Sequence, residues 1–378
     1  MTIASLLRSN VGTLLRLTGL VVLAIVASTP LAALAPAPAA HVLELLRRTG
    51  LNQEDQEQQT AGYYEVLLNQ AGQAGGIAGL ITAGNQFDAE DWARPDRRHR
   101  GDYLYYDLKP NSRITDYLDP RQTRITNQFG MADREYAQAK PAGVRRLAVL
   151  GDSVSRGAGV RFGAAYEALL EDALNEERPG QYEVLNFAVG GYRMMQLVEV
   201  AKEKVPAFQP DVVFVAVTDL GVFRGWGDHL ATLVQEGVDL KYDYLKTIVR
   251  QAGVSQHDSV STIRSKLARY RLPVITWALG EIQASARAIG ADTVVLLVPT
   301  VSDYATMTRQ FTGVREATRE LGLPTIDLLD TFDSYEAADV RVAENDRHPN
   351  ERGHAILFER LNSAIRADPA LTALVLGN

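Results

Sequence analysis

The chain has 378 residues, of which 46% are hydrophobic and 22% charged, with a net charge of −7. Such a chain is globular, with room for one large domain and a smaller companion, and its acidity argues against a nucleic-acid partner. It has no cysteine, which excludes disulfides, thiol nucleophiles and cysteine-ligated metals.

Residues 1–40 read as a targeting or anchoring segment. Arg8 and Arg16 precede an uncharged, Leu-, Val- and Ala-rich stretch over 17–40, strongest over 17–26 and followed by Pro30, Pro36 and Pro38. This layout fits a signal-anchor or a cleaved signal peptide. The anchor is favoured, because Pro36 would follow a cut after Ala35. Either way, the remaining chain is expected outside the cytoplasm: membrane-anchored and periplasmic or extracellular, or secreted if the segment is cleaved.

Residues 41–140 read as a juxtamembrane lead-in. Helical patches are predicted over 41–51 and 63–80. Short β segments are predicted between Tyr103 and Phe129, with turns at Pro110-Asn111 and Asp119-Pro120. The basic cluster of Arg94, Arg97, Arg98 and Arg100 is interleaved with Asp96 and reads as a solvated loop.

From residue 141 to 378 strands and helices alternate. Strands are predicted over 147–150, 182–187, 211–217, 293–298 and 325–328. Helices are predicted over 164–176, 194–205, 282–289, 314–321 and 351–367. Val- and Leu-rich runs alternating with helices imply an α/β domain with a parallel sheet covered on both faces. The excursion at about 221–279 is too long for an ordinary connection and is expected to form a helical cap or lid.

Several strand ends carry chemistry-bearing residues. The first strand runs into Gly151-Asp152-Ser153, which places a serine at the carboxyl edge of the sheet, where open α/β sheets bind ligands. The second ends in Gly190-Gly191, whose backbone N–H groups suit an oxyanion, and the third in Thr218-Asp219. A serine nucleophile needs a base and a group to orient it. Of six histidines, His348 is the best placed, in Asp346-Arg347-His348-Pro349-Asn350, which reads as a loop just before the last helix. Asp346 is the chosen partner for its imidazole, ahead of Glu344 and Asn345. His354 is expected to pack or cap. The chain has no metal-binding His-x-x-x-His, no Walker loop, no Gly-x-Gly-x-x-Gly after a strand and no Gly-x-Ser-x-Gly elbow.

In order, these segments resemble the four blocks of the SGNH (GDSL-type) hydrolase superfamily: Val149-Leu150-Gly151-Asp152-Ser153, the run from Asn186 to Gly191, Ala216-Val217-Thr218-Asp219, and Asp346-Arg347-His348-Pro349-Asn350-Glu351-Arg352-Gly353-His354. The lead-in, with Leu108-Lys109-Pro110-Asn111 and Thr126-Asn127-Gln128-Phe129-Gly130, is similar to that of membrane-anchored members. The resemblance implies a three-layer α/β/α fold of flavodoxin-like type on a central parallel five-stranded sheet. It implies a Ser153, His348 and Asp346 triad, with an oxyanion hole drawn from Ser153, Gly191, Gly190 and Thr218. It implies no metal and no cofactor. Thr218 stands where the superfamily has asparagine, and Asp346 is two residues before His348 where many members have three.

The expected activity is an extracytoplasmic ester hydrolase acting on an acylated small molecule, glycan or other envelope ester. The alternative is an O-acyltransferase of envelope or exopolysaccharide using the same triad, with polysaccharide-biosynthesis partners. A catalytically weakened envelope scaffold is the third reading.

Overall fold

A computed structural model describes residues 96–115, 123–223, 225–344 and 346–377, all within one compact unit spanning Leu68–Asn378. The expected anchor at 1–40, the helical patches at 41–51 and 63–80, and the Asp119-Pro120 turn lie outside the described residues. Among the described residues, no helix is long and apolar enough to cross a membrane.

Two short antiparallel pairs come first: β1 (Arg97–His99) with β2 (Tyr106–Leu108), and β3 (Arg113–Thr115) with β4 (Thr123–Ile125). The alternating part follows as β5 (Arg145–Leu150), α1 (Tyr166–Glu177), β6 (Tyr182–Asn186), α2 (Met194–Glu203) and β7 (Val212–Val217). The excursion holds α3 (Asp219–Val222), α4 (Asp228–Gln235), α5 (Asp243–Gln251), α6 (Val260–Leu267) and α7 (Arg271–Ala288). Then come β8 (Asp292–Leu297), α8 (Tyr304–Glu320), β9 (Thr325–Asp327) and α9 (Ala337–Val340). An antiparallel ribbon of β10 (Arg341–Ala343) and β11 (Asp346–Pro349) leads into α10 (Glu351–Ala367) and α11 (Pro369–Leu376).

The central sheet has the order β6-β5-β7-β8-β9, and every pair is parallel. Its strands are apolar on both faces because both are covered, and the period of two divides them cleanly. Ala148, Leu150, Val213, Val215, Val217, Val295 and Leu297 face one core, shared with α2, α7 and α8. Leu147, Val149, Val212, Phe214, Ala216, Val294 and Leu296 face the other, shared with α1, α10 and α11. The connection from β5 to β6 leaves one side of β5, and β7 lies on its other side. The chain's switch point therefore falls between β5 and β7, where such sheets open a crevice at the carboxyl edge.

Two expectations gain detail and one is corrected. The excursion is helical, and Leu230, Leu233, Leu245, Ile263 and Leu267 are fully buried in the core that covers one sheet face. The lead-in joins that core through Tyr103, Leu104, Tyr106, Leu108 and Ile114. Within the basic cluster, Arg97 is buried with 4% exposure rather than solvated, because its guanidinium is taken up by the main domain.

The carboxyl edge of β6 carries a buried polar network. Asn186 donates from Nδ2 to the Ser155 carbonyl at 2.8 Å and to Glu167 Oε1 at 2.7 Å, while its Oδ1 accepts from the Ala188 N–H at 2.9 Å. One side chain thus ties the turn after Ser153 to the approach to Gly190. Burial, reinforced by the neighbouring Asp133 carboxyl, pushes Glu167 up from 4.5 to about 8. Between pH 4.5 and 8 the folded chain therefore holds a proton on Glu167 that the unfolded chain has released. The stabilisation is complete below the lower value and is lost as pH rises through the upper one. Thermal denaturation from pH 7 to pH 9, above the range in which the buried His229 and His354 give the opposite slope, is expected to show Tm falling with pH. In Glu167→Gln, which stays neutral throughout, this part of the slope disappears.

Candidate active site

β5 ends at Leu150, and the chain turns at once. The Asp152 carbonyl accepts from the Arg156 N–H at 3.0 Å, the Ser153 carbonyl from the Ala158 N–H at 3.0 Å, and Asp152 Oδ1 from the Val154 N–H at 3.0 Å. This tight turn buries Asp152 and Val154 and leaves Ser153 between them half-exposed. The turn-forming residues Gly-Asp-Ser do form a turn, and its effect is to present the hydroxyl at the sheet's carboxyl edge.

Asp346 and His348 lie on β11 rather than on a loop. Strand periodicity puts side chains two residues apart on one face, which is what the short spacing achieves. Asp346 Oδ1 is 2.6 Å from His348 Nδ1 and also accepts the His348 backbone N–H at 2.8 Å. His348 Nε2 is 2.7 Å from Ser153 Oγ. A carboxylate can only accept, so Nδ1 carries the proton and Nε2 offers its lone pair to the serine hydroxyl. The histidine side chain is 8% exposed and the aspartate side chain 9%, so little water competes for either bond. Glu344 is exposed and takes no part; Asn345 lies outside the described residues.

The remainder of the His348 segment anchors the ribbon. Asn350 caps α10 by accepting the Gly353 N–H at 3.0 Å, and its Nδ2 donates to the carbonyls of Asp339 and Arg341 at 3.0 and 3.1 Å. A Cβ on Gly353 would lie 2.5 Å from the Val340 carbonyl, so only glycine lets the helix pass this close. His354 is fully buried and stacked on Tyr166, and accepts the Tyr166 N–H at Nδ1 over 3.3 Å. Burial pushes its imidazole down to about 3, so it stays neutral and structural. Helix capping and imidazole presentation are thus both true of this motif.

On the opposite side of Ser153 stand the two glycines. Gly191 has φ +86°, a conformation that other residues reach only with strain. Among the described residues, the Ser153 and Gly191 N–H groups make no hydrogen bond. Thr218 departs from expectation. Its hydroxyl donates to Asp152 Oδ2, and the residue is 1% exposed. That proton is occupied in bracing the Ser153 turn against β7 and is not directed at an oxyanion. Burial raises the Asp152 carboxyl, with Thr218 acting in the opposite sense. Next along, Asp219 is fully buried, accepts from Thr300 at 2.8 Å and faces Arg347 at 3.9 Å, which ties β7 to the His348 ribbon. Among the described residues, no group of three or more His, Cys, Asp or Glu is arranged to hold a metal ion.

A serine, an imidazole and a carboxylate in one hydrogen-bonded chain, with the N–H groups of Ser153 and Gly191 unengaged among the described residues, can take up and release acyl groups. The class is that of the serine acylhydrolases. The chain belongs to the GDSL-like lipase/acylhydrolase family, whose model matches residues 149–356, more than half of its length. It is a serine esterase of that family. No curated protein matches the chain significantly. Among solved structures it is similar to TesA, at 14% identity and a TM-score of 0.39, covering 59% of this chain and 99% of that one. It is similar to Axe2, an acetylxylan esterase from Geobacillus stearothermophilus, at 17% identity and a TM-score of 0.41, covering 58% and 94%. It is also similar to EstA, a psychrotrophic esterase from Pseudoalteromonas sp., at 13% identity and a TM-score of 0.40, covering 59% and 97%.

Proposed function

We propose that the protein is an extracytoplasmic esterase that removes acyl groups from a glycan or other envelope ester, with Ser153 as nucleophile, His348 as general base and acid, and Asp346 as the group that orients His348. The carrying observation is the unbroken chain from Ser153 Oγ to His348 Nε2 at 2.7 Å and from His348 Nδ1 to Asp346 at 2.6 Å. The location rests on the uncharged stretch over 17–40 behind Arg8 and Arg16.

Ser153 Oγ attacks the acyl carbon while His348 Nε2 takes its proton. The carbonyl oxygen becomes an anion and is met by the N–H groups of Ser153 and Gly191. As the tetrahedral species collapses, the bond to the alcohol oxygen breaks and His348 returns the proton to that oxygen. Water then attacks the acyl-serine while His348 again takes the proton; the bond to Ser153 Oγ breaks, His348 returns the proton to that oxygen, and the acid leaves. No cofactor enters these steps.

A second reading keeps the acyl-serine and replaces water by a sugar hydroxyl, which makes the protein an O-acyltransferase. What favours it is Thr218. At this position the superfamily the chain resembles has an asparagine, and here the threonine hydroxyl is spent on Asp152.

The test uses the full-length chain in detergent with p-nitrophenyl acetate, then with an acetylated oligosaccharide, then with a free oligosaccharide as acceptor. Release of acetate to water from both esters supports the hydrolase. Acetate appearing on the free oligosaccharide in preference to water supports the transferase. No turnover of any ester contradicts both.

A further inference from the structure

We propose that Arg97 and Tyr106, which lie N-terminal to the family-matched region, are positioning residues that set the Gly191 N–H for the oxyanion. The inference rests on the reading of Ser153 and Gly191 given above and adds to it a part supplied by the lead-in.

The Gly190 carbonyl is held by two donors at once. Arg97 Nη2 donates to it at 2.8 Å and the Tyr106 hydroxyl at 3.1 Å, both in buried surroundings. The peptide joining Gly190 to Gly191 is trans, as are all the described peptides. In a trans peptide the C=O and the following N–H point in opposite directions within one plane. Fixing the Gly190 oxygen toward the lead-in therefore fixes the Gly191 N–H in the reverse sense. Without such a hold this peptide would turn easily, because it joins two glycines. A cationic donor on the carbonyl also polarises the peptide and strengthens its N–H as a donor.

The two donors are themselves well supported. In the β1–β2 pair, Arg97 opposes Leu108 and His99 opposes Tyr106, which puts Arg97 and Tyr106 on one face as diagonal neighbours. The Arg97 guanidinium lies over the Tyr106 ring, 4.7 Å from its centre. Tyr192, next after Gly191, donates its hydroxyl to the Tyr106 carbonyl at 2.9 Å, and Gln196 donates to the Leu104 carbonyl at 3.0 Å. The chain from Gly190 to Gln196 is thus bound to the lead-in at three points. The lead-in holds the serine side too: Arg124 donates to the carbonyls of Arg156, Gly157 and Val160 at 2.8, 2.8 and 2.6 Å. The family match covers 149–356, so this bracing comes from outside the part of the chain it describes.

The experiment compares wild type, Arg97→Gln, Arg97→Lys and Tyr106→Phe in the full-length chain. It measures kcat and KM on p-nitrophenyl acetate and Ki for a trifluoromethyl ketone, whose adduct with serine carries an oxyanion. Tm is followed alongside. Complete loss of an oxyanion donor costs about 10²–10³ in rate, so a loosened one is expected to cost about tenfold in Tyr106→Phe and up to about a hundredfold in Arg97→Gln. KM stays within about twofold, Ki weakens by the same factor as kcat, and Arg97→Lys recovers most of the loss. Tyr106→Phe removes a single hydroxyl and keeps the ring against Tyr192, so it reports even if Arg97→Gln folds poorly. Unchanged kcat and Ki, a change in KM alone, or a kcat loss with Ki unmoved would overturn the proposal. Failure of the ketone to inhibit the wild type would instead overturn the underlying reading of Ser153.

Discussion

Ser153→Ala is expected to lower kcat for ester turnover by about 10⁴–10⁶ while leaving Tm close to that of wild type. The size follows from the chemistry. Without the hydroxyl there is no acyl-serine, and the ester must be hydrolysed by water alone. The residual rate comes from binding and from the two N–H groups, which the substitution leaves in place. Stability is spared because Ser153 is half-exposed and, among the described residues, its hydroxyl bonds only to His348 Nε2. The check is paired steady-state kinetics and thermal denaturation. A variant that retains a tenth or more of the activity would remove Ser153 from the mechanism.

The second large effect is expected from Asp346→Asn, at about 10⁴ in kcat. Asp346 Oδ1 receives both the Nδ1–H and the backbone N–H of His348. An asparagine with its NH₂ in that place can accept neither proton, so Nδ1 becomes the acceptor and the proton moves to Nε2, where the imidazole cannot take the serine proton. An asparagine with its amide oxygen there keeps the tautomer, and the loss then comes from the missing charge. The substitution also withdraws the negative charge that stabilises the imidazolium during attack. KM is expected to change little, because Asp346 lies behind His348 and away from the bound ester. A proportionate rise in KM with kcat preserved would show that Asp346 acts on binding instead.

Much of this was legible in the chain itself. β5, β7 and β8 announced themselves as Val- and Leu-rich runs, because strands buried on both faces leave no polar face to blur them, while the edge strands β6 and β9 are more polar. The order of Ser153, the Gly190-Gly191 pair and Asp346 with His348 along those strands was enough to expect them at one sheet edge. Their hydrogen-bonded arrangement required coordinates. β11 was read as a loop because its few residues carry turn formers and little alternation. α8 was expected to start at 314 but starts at Tyr304, since its first turns are polar and only Met307 and Phe311 turn inward. α7 likewise begins at Arg271 rather than 282.

Two misreadings share a cause. A run of arginines suggested solvent, yet Arg97 is buried against a glycine carbonyl more than ninety residues away. Thr218 suggested a weakened oxyanion donor, yet its hydroxyl is spent on Asp152, the residue before the nucleophile. Charge and hydroxyl groups take their roles from partners distant in sequence, and local pattern cannot supply those partners. Hydrophobic period is local, and so it can be read.

The central claim, that Ser153 is the residue that becomes acylated, is tested most directly by covalent labelling. The full-length protein would be treated with a fluorophosphonate, digested, and its adduct located by mass spectrometry. One adduct per chain on the peptide bearing Ser153, absent from Ser153→Ala and much slower to form in His348→Ala, is the predicted result. An adduct on another residue, or none in a protein that turns over esters, would contradict the account.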